Sequence, residues 1–320
     1  MDRPGALDRL RGTLAGFAGS RMPDERAWCV GLSGGPDSLA LTAAAAGVLP
    51  TTALIVDHGL QSGSAEVATT ARRQALDLGC ADARVIRTRV GNSGGPEAAA
   101  RTARYAALDA ARSGLPVLLG HTLDDQAETV LLGLGRGSGP RSIAGMTDCD
   151  PPWYRPLLGL RRSLTHAACV ELGLRPWEDP HNSDRRFTRV RLRDEVLPLL
   201  EEVLGGGVAE ALARTATALR EDQQVLDGLA AAAMATARTP DGLGVAALRD
   251  LPAAVRLRVI RGWLIEGGAC GLSDGQIRAV DALVSRWTGQ GGVAVGCSVP
   301  RTRLFAERRG VTLNLRHQPV

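Results

Sequence analysis

The chain has 320 residues, 44% of them apolar and 22% charged, with a net charge of +4. That length suits two domains of about 100–200 residues each, and no apolar stretch reaches the roughly 18–20 residues that span a membrane. All 38 basic side chains are arginine, and the six cysteines at 29, 80, 149, 169, 270 and 297 form no C-x-x-C pair, which argues against a lysine-dependent phosphate loop and against a zinc or iron–sulfur framework.

In chain order, the start is charged and broken by Pro4 and Gly5, so no signal peptide is expected, and scattered cysteines suit a reducing cytoplasm. Residues 27–32 read as a short buried strand, 38–47 as a helix, 52–57 as a strand, 64–79 as a helix, 83–90 as a strand, 96–113 as a helix, 116–120 as a strand and 123–134 as a helix. Strands alternating with helices predict an α/β fold with a doubly wound parallel sheet. Ligands of such sheets lie beyond the carboxyl ends of the strands. The three most polar motifs, at 33–38, 57–58 and 121–128, all follow predicted strands, so they are expected to share one site. Residues 133–162 are rich in Gly, Pro and Arg and read as a loop region, with helices expected at 163–173 and 188–203. Gly205-Gly206-Gly207 is the best linker, which sets a catalytic domain at 1–205 and a smaller, mainly helical domain at 206–320. Long helices at 208–237, 252–267 and 273–288 and a Gly-rich end with short strands complete the chain.

Ser33-Gly34-Gly35-Pro36-Asp37-Ser38 lies between the first strand and the first helix of the sheet. Adjacent glycines let backbone N–H groups approach a ligand, and the helix N-terminus adds partial positive charge, so phosphate can be held without lysine. Ser33 and Ser38 offer hydroxyls. Asp37 would repel phosphate unless a cation lies between them, and Mg²⁺ prefers one or two carboxylates plus phosphate oxygens. The acid in the loop therefore points to a metal–pyrophosphate site.

This string resembles the PP-loop of ATP pyrophosphatases, which adenylate a substrate and release pyrophosphate. Val56-Asp57-His58-Gly59-Leu60, Glu97 to Tyr105, Gly120 to Thr129, Arg136-Gly137-Ser138-Gly139 with Ala144-Gly145-Met146, Arg155-Pro156-Leu157-Leu158, and Trp177-Glu178-Asp179-Pro180-His181-Asn182 narrow the match. Together they resemble the tRNA(Ile)-lysidine synthetase family over roughly residues 27–200. Gln61 stands where that family often has Arg, and Val190 where it often has Asn; neither lies at the implied reaction centre.

The resemblance implies ATP-dependent adenylation of the C2 oxygen of the wobble cytidine in the CAU-anticodon tRNA(Ile), then attack by free L-lysine with loss of AMP. It implies Asp37, Arg101, His121 and Asp125 as catalytic residues. Ser33, Gly34, Gly35, Pro36, Asp37 and Ser38 would hold phosphate, with Asp57 and His58 along the adenosine and Asp37 and Asp125 on Mg²⁺. Asp125, Asp124 and Glu128 become candidates for the lysine ammonium, and Arg136, Arg141, Arg189 and Arg191 for tRNA. Plainer readings stand beside these. Asp124 and Asp125 open a helix, where carboxylates are favourable caps. Asp57 can cap a turn, His121 can be a structural histidine, and Trp177 can stack on a base or be buried.

Three other functions share parts of this pattern. A thiolating PP-loop tRNA enzyme needs cysteine pairs, and none occurs here. A small-molecule PP-loop ligase has no use for the arginines of 177–193. A tRNA-binding protein without catalysis would lack Asp37, His121 or Asp125. A homodimer is compatible with the sequence.

Overall fold

The computed structural model describes residues 4–59, 63–91, 95–137, 139–179 and 184–319. Leu60, Gln61, Ser138, Pro180, His181 and Asn182, singled out above, lie outside the described residues. The chain divides into two units, Met1–Ala218 and Leu219–Val320.

The first unit runs α1 (Ala6–Arg21), β1 (Trp28–Gly31), α2 (Pro36–Ala46), β2 (Thr51–Asp57), α3 (Ser64–Asp77), β3 (Asp82–Arg87), α4 (Pro96–Ala111), β4 (Val117–Leu119) and α5 (Leu123–Gly135). It continues through α6 (Pro140–Ile143), β5 (Cys149–Asp150), β6 (Trp153–Tyr154), α7 (Arg162–Glu171), α8 (Thr188–Arg191) and α9 (Leu197–Val203). The sheet order is β3-β2-β1-β4-β6-β5, parallel except for the β5–β6 hairpin. Successive strand residues face opposite sides. Trp28, Val30, Ala53, Ile55 and Leu118 join the core formed with α1, α2, α3 and α7, while Cys29, Leu54, Val117 and Leu119 pack with Leu108 of α4. Both faces of the central strands are covered, which is why β1 and β4 and the middle of β2 are apolar, while the outer β3 keeps polar, exposed positions. The chain winds outward from β1 to β3 and then returns to β4 on the other side of β1. The switch point of the topology therefore lies between the carboxyl ends of β1 and β4.

The expected parallel α/β sheet is present, and its elements lie within a turn of the predicted bounds. Two details differ. The 133–162 stretch, expected as loop, contains α6 and the β5–β6 hairpin, which extends the sheet beyond β4. Strands of two residues beside Pro151 and Pro152 carry no legible alternation. The helix expected over 188–203 is interrupted at Leu192–Val196 by a π-helical turn. Pro198 explains the wide turn: its ring lacks an N–H and would clash with the carbonyl four residues back.

Helix α10 (Val208–Ala237) passes from the first unit into the second. The second unit then adds β7 (Arg238–Thr239), β8 (Gly242–Gly244), α11 (Val245–Arg249), α12 (Ala253–Glu266), α13 (Asp274–Ser285), β9 (Val293–Val295), β10 (Thr302–Arg309) and β11 (Thr312–Pro319). Its strands form a five-stranded antiparallel sheet, β7-β8-β11-β10-β9, in which β10 and β11 pair along eight residues each. The helices α10, α12 and α13 and the terminal strands match expectation, while α11 and the extent of the sheet are findings. Leu243, Leu248, Ile260, Leu264, Leu304 and Leu313 are fully buried in its core.

Candidate active site

The chain leaves β1 and turns through Ser33-Gly34-Gly35 into α2. Gly34 has φ +86°, a conformation that disfavours any Cβ. Ser38 Oγ donates to the Gly35 carbonyl at 2.9 Å, and the Ser33 N–H donates to Ser38 Oγ at 3.2 Å, so the two serines brace the turn. The N-cap of α2 is Gly35, which brings no side-chain acceptor, so the first N–H groups of the helix face the loop uncapped. Gly120, just past β4, allows the strand end to approach: a Cβ there would meet the backbone of Asp37 and Ser38 at 3.1 Å. Trp177 is half-buried, and its N–H donates to the Gly34 carbonyl at 2.9 Å, tying the 177 segment to the loop.

Acidic side chains gather beside this loop. Asp125 caps its own helix and also faces the site, one oxygen to each task. Its Oδ2 accepts from the Thr122 N–H at 2.7 Å, and its Oδ1 accepts from Arg162 Nη2 at 2.6 Å. Asp124 points elsewhere, its Oδ2 accepting from the Arg162 N–H at 2.7 Å and its Oδ1 lying 3.1 Å from Arg161. Asp37 accepts from Thr165 Oγ1 and, at 3.4 Å, from Arg162 Nε. Glu128 is fully buried, with 0% exposure, and takes a two-pronged bond from Arg193 at 2.8 and 3.3 Å. A cavity of about 130 Å³ opens on this group, lined by both signs of charge: Asp124, Glu128 and Glu201 with Arg161, Arg162 and Arg193.

Burial, opposed by Thr165 and Arg162, raises the pKa of Asp37. For Asp125 burial also pushes upward, but Arg162 and the Thr122 N–H outweigh it and hold the carboxyl low.

Asp125 also acts on a group of basic residues. His121 follows β4, and burial holds its pKa well below the ordinary value; Asp125 opposes this, while Arg104, Arg155 and Arg101 add to it. Arg101 is exposed, bonds Tyr105 OH at 3.2 Å and lies 4.8 Å from the Tyr105 ring centroid. Arg104 is more enclosed. Arg155 is buried and donates to the Thr147 carbonyl at 2.9 Å. Among the described residues, Arg104 Nε, Arg155 Nε, His121 Nδ1 and His58 Nδ1 are buried with no hydrogen-bond partner. Buried polar nitrogens without partners are costly, and a cluster of them is chemically suited to an anion.

The structure thus links Asp37, Asp125 and Glu128 through the Arg162 guanidinium and sets His121 under the influence of Asp125, while Asp124 turns to the Arg162 N–H and to Arg161. The Asp57 carboxylate accepts from the Gly59 N–H at 3.0 Å, the turn-capping reading, with His58 next to it. Arg189 reaches Thr129 at 3.4 Å, and Arg191 is an exposed partner of Glu195 at 3.1 Å. Arg136 and Arg141 are exposed. Sequence reasoning passed over Arg104, Arg155, Arg161, Arg162 and Thr165 as site residues, and read Arg193 only as part of the 177–193 stretch that would contact tRNA. One signal was available: buried carboxylates need cations, and a chain with 38 arginines, five histidines and no lysine supplies them mostly as arginine.

Comparison with known proteins bears on the fold and the family. A family model described as a PP-loop domain matches residues 11–200, and one described as a TilS substrate binding domain matches 243–308. Among solved structures, the U34-tRNA thiolase NcsA from Methanococcus maripaludis with its [4Fe-4S] cluster shares the fold, with a TM-score of 0.54 at 16% identity, over 68% of this chain and 80% of that one. Fold and loop define a PP-loop protein. The tRNA(Ile)-lysidine synthase of Mycolicibacterium paratuberculosis is 68% identical over 100% of both chains. Those of Mycobacterium leprae and Nocardia farcinica are 63% identical over 100% of both chains and 60% identical over 97% of this chain and 98% of theirs. The chain belongs to the tRNA(Ile)-lysidine synthase family. Among the described residues no helix is long and apolar enough to cross a membrane.

Proposed function

We propose that this protein joins free L-lysine to the wobble cytidine of the CAU-anticodon tRNA(Ile), cleaving ATP to AMP and pyrophosphate. One observation within the chain supports the chemistry most. Arg162 links the acids Asp37, Asp125 and Glu128, and Asp125 also acts on the buried His121, on which Arg104 and Arg155 act as well.

In the first step the cytidine O2 attacks the α-phosphorus of ATP and pyrophosphate leaves. The backbone N–H groups of 33–38 and the α2 N-terminus hold the phosphates. Arg104, Arg155 and a neutral His121 donate to the α-phosphate oxygens as charge builds there. Asp37 and Asp125 supply hard carboxylate oxygens linked through one guanidinium, a donor set that fits Mg²⁺ shared with phosphate. When bound, Mg²⁺ offsets the charge of the departing pyrophosphate. In the second step the lysine side-chain amine attacks C2 and AMP leaves with the C2 oxygen. Asp125 and Glu128 face the ammonium and bring it to the reaction centre, where it must shed a proton before attack. The cavity beside Glu128 offers Arg161 or Arg193 to the amino-acid carboxylate and Asp124 or Glu201 to its α-ammonium. Asp57 and His58 line the adenosine. Arg136, Arg141, Arg189 and Arg191 contact tRNA. We assign catalysis to residues 1–205 and further RNA contacts to 206–320. Six free cysteines suit a cytoplasmic enzyme.

Pyrophosphate release tests the first step. It should require the tRNA, and Asp37→Ala should abolish it at an unchanged melting temperature. Release without tRNA, or full activity in that variant, contradicts the assignment.

A further inference from the structure

Four carboxylates converge on one residue. Arg162 stands at the first turn of α7, only 16% exposed at its side chain. Its N–H holds Asp124 at 2.7 Å, and Nη2 holds Asp125 Oδ1 at 2.6 Å. Both terminal nitrogens lie 3.4 Å from Glu128 Oε1, and Nε lies 3.4 Å from Asp37 Oδ2. The distances rank these bonds, with a short anchor on Asp125 and a long contact to Asp37.

We propose that Arg162 is the internal countercation of this site. As a positioning residue it gathers Asp37, Asp125 and Glu128 while no metal is bound, and it yields Asp37 when a divalent cation arrives with the nucleotide. The inference rests on the metal role given to Asp37 above. Carboxylates this close cannot all remain charged without a cation between them. A metal ion and a guanidinium compete for the same Asp37 oxygen and repel each other. The fork of arginine solves this geometrically: its terminal nitrogens keep Glu128 and one oxygen of Asp125 while the Nε edge lets Asp37 go. A lysine, a point charge on a flexible stem, cannot hold one side and release the other.

The consequence is a pair of effects of opposite sign. Loss of Arg162 frees Asp37 for metal and so tightens metal–nucleotide binding. It also removes the anchor of Asp125 and Glu128 and so slows lysidine formation. A purely structural residue would weaken both.

The test uses the full chain, with Arg162→Gln and Arg162→Lys beside the wild type. Mn²⁺ uptake is read by the paramagnetic signal of the free ion, in the presence of a non-hydrolysable ATP analogue and without tRNA. Lysidine formation is measured separately. R162Q should bind Mn²⁺ about three- to tenfold more tightly, the scale of removing one competing partly buried charge, and its kcat should fall by more than about tenfold. R162K keeps a charge beside Asp125, so it serves if R162Q folds poorly. It should bind Mn²⁺ more tightly than wild type and recover part of the lost kcat. Unchanged or weaker Mn²⁺ affinity in the folded variants would overturn the inference alone. No Mn²⁺ uptake with nucleotide by the wild type would overturn the metal role of Asp37 as well.

Discussion

Glu128 and Arg193 are 65 positions apart in the chain and 2.8 Å apart in space. With Arg162 on its other side, the buried Glu128 carboxylate ties α5, α7 and the π-helical turn together. Replacing Glu128 with Gln keeps the shape and removes the charge that two arginines share. Breaking such a buried pair costs about 3 kcal/mol, because the partners stay behind uncompensated. Denaturant unfolding of Glu128→Gln should show that loss, and an unchanged midpoint would mean the pair is dispensable to the fold.

Arg101 and Arg104 offer a cleaner separation of roles. Both lie on α4, but Arg101 is exposed while Arg104 has a buried Nε without a partner. Arg104→Ala should lower the rate of tRNA adenylation by about 100-fold or more, the scale for losing a group that stabilises developing charge. Arg101→Ala should cost less than about tenfold. Pre-steady-state pyrophosphate release compares them, and equal losses would put Arg101 back at the reaction centre.

His121 makes stability depend on pH. Its folded pKa is depressed, so the unfolded chain, titrating near 6.5, takes up the proton more readily. The stability contribution is therefore complete above about pH 6.5 and is lost as the pH falls toward the folded value. Urea midpoints between pH 7.5 and 5 should fall in the wild type and fall less steeply in His121→Asn. Parallel slopes in the two proteins would assign the acid sensitivity to other groups.

Much of this was legible in the residues themselves. The sheet could be read because its central strands are buried on both faces and separated by helical patterns, and the loop could be read because Gly34, Asp37 and Ser38 carry unusual chemistry at fixed spacing. The partners were hidden for different reasons. Arg162 and Thr165 lie far along the chain from Asp37 and meet it only through the packing of α7 against α2. Arg104, one turn beyond Arg101 on α4, drew no attention because nothing in the pattern of that helix marks it as the arginine whose Nε is buried beside His121. Asp125 shows that cap and site readings are compatible, since a carboxylate has two oxygens.

In the second unit, Arg301 and Arg303 are exposed at the start of β10. If they contact RNA phosphates, replacing both with Gln should weaken tRNA binding and reduce the slope of log affinity against log salt by about 1–2. Binding titrations at several salt concentrations measure this, and an unchanged slope would remove these arginines from the RNA surface.

The most direct measurement follows labelled lysine. The protein is incubated with ATP, Mg²⁺ and the CAU-anticodon tRNA(Ile), with the CAU-anticodon methionine tRNA in parallel, and the RNA is digested to nucleosides. The expected result is label in the wobble nucleoside of tRNA(Ile) alone, with one AMP formed per lysine joined. Pyrophosphate release without label would keep the adenylation chemistry and contradict lysine as the nucleophile, and the absence of both would contradict the proposed reaction as a whole.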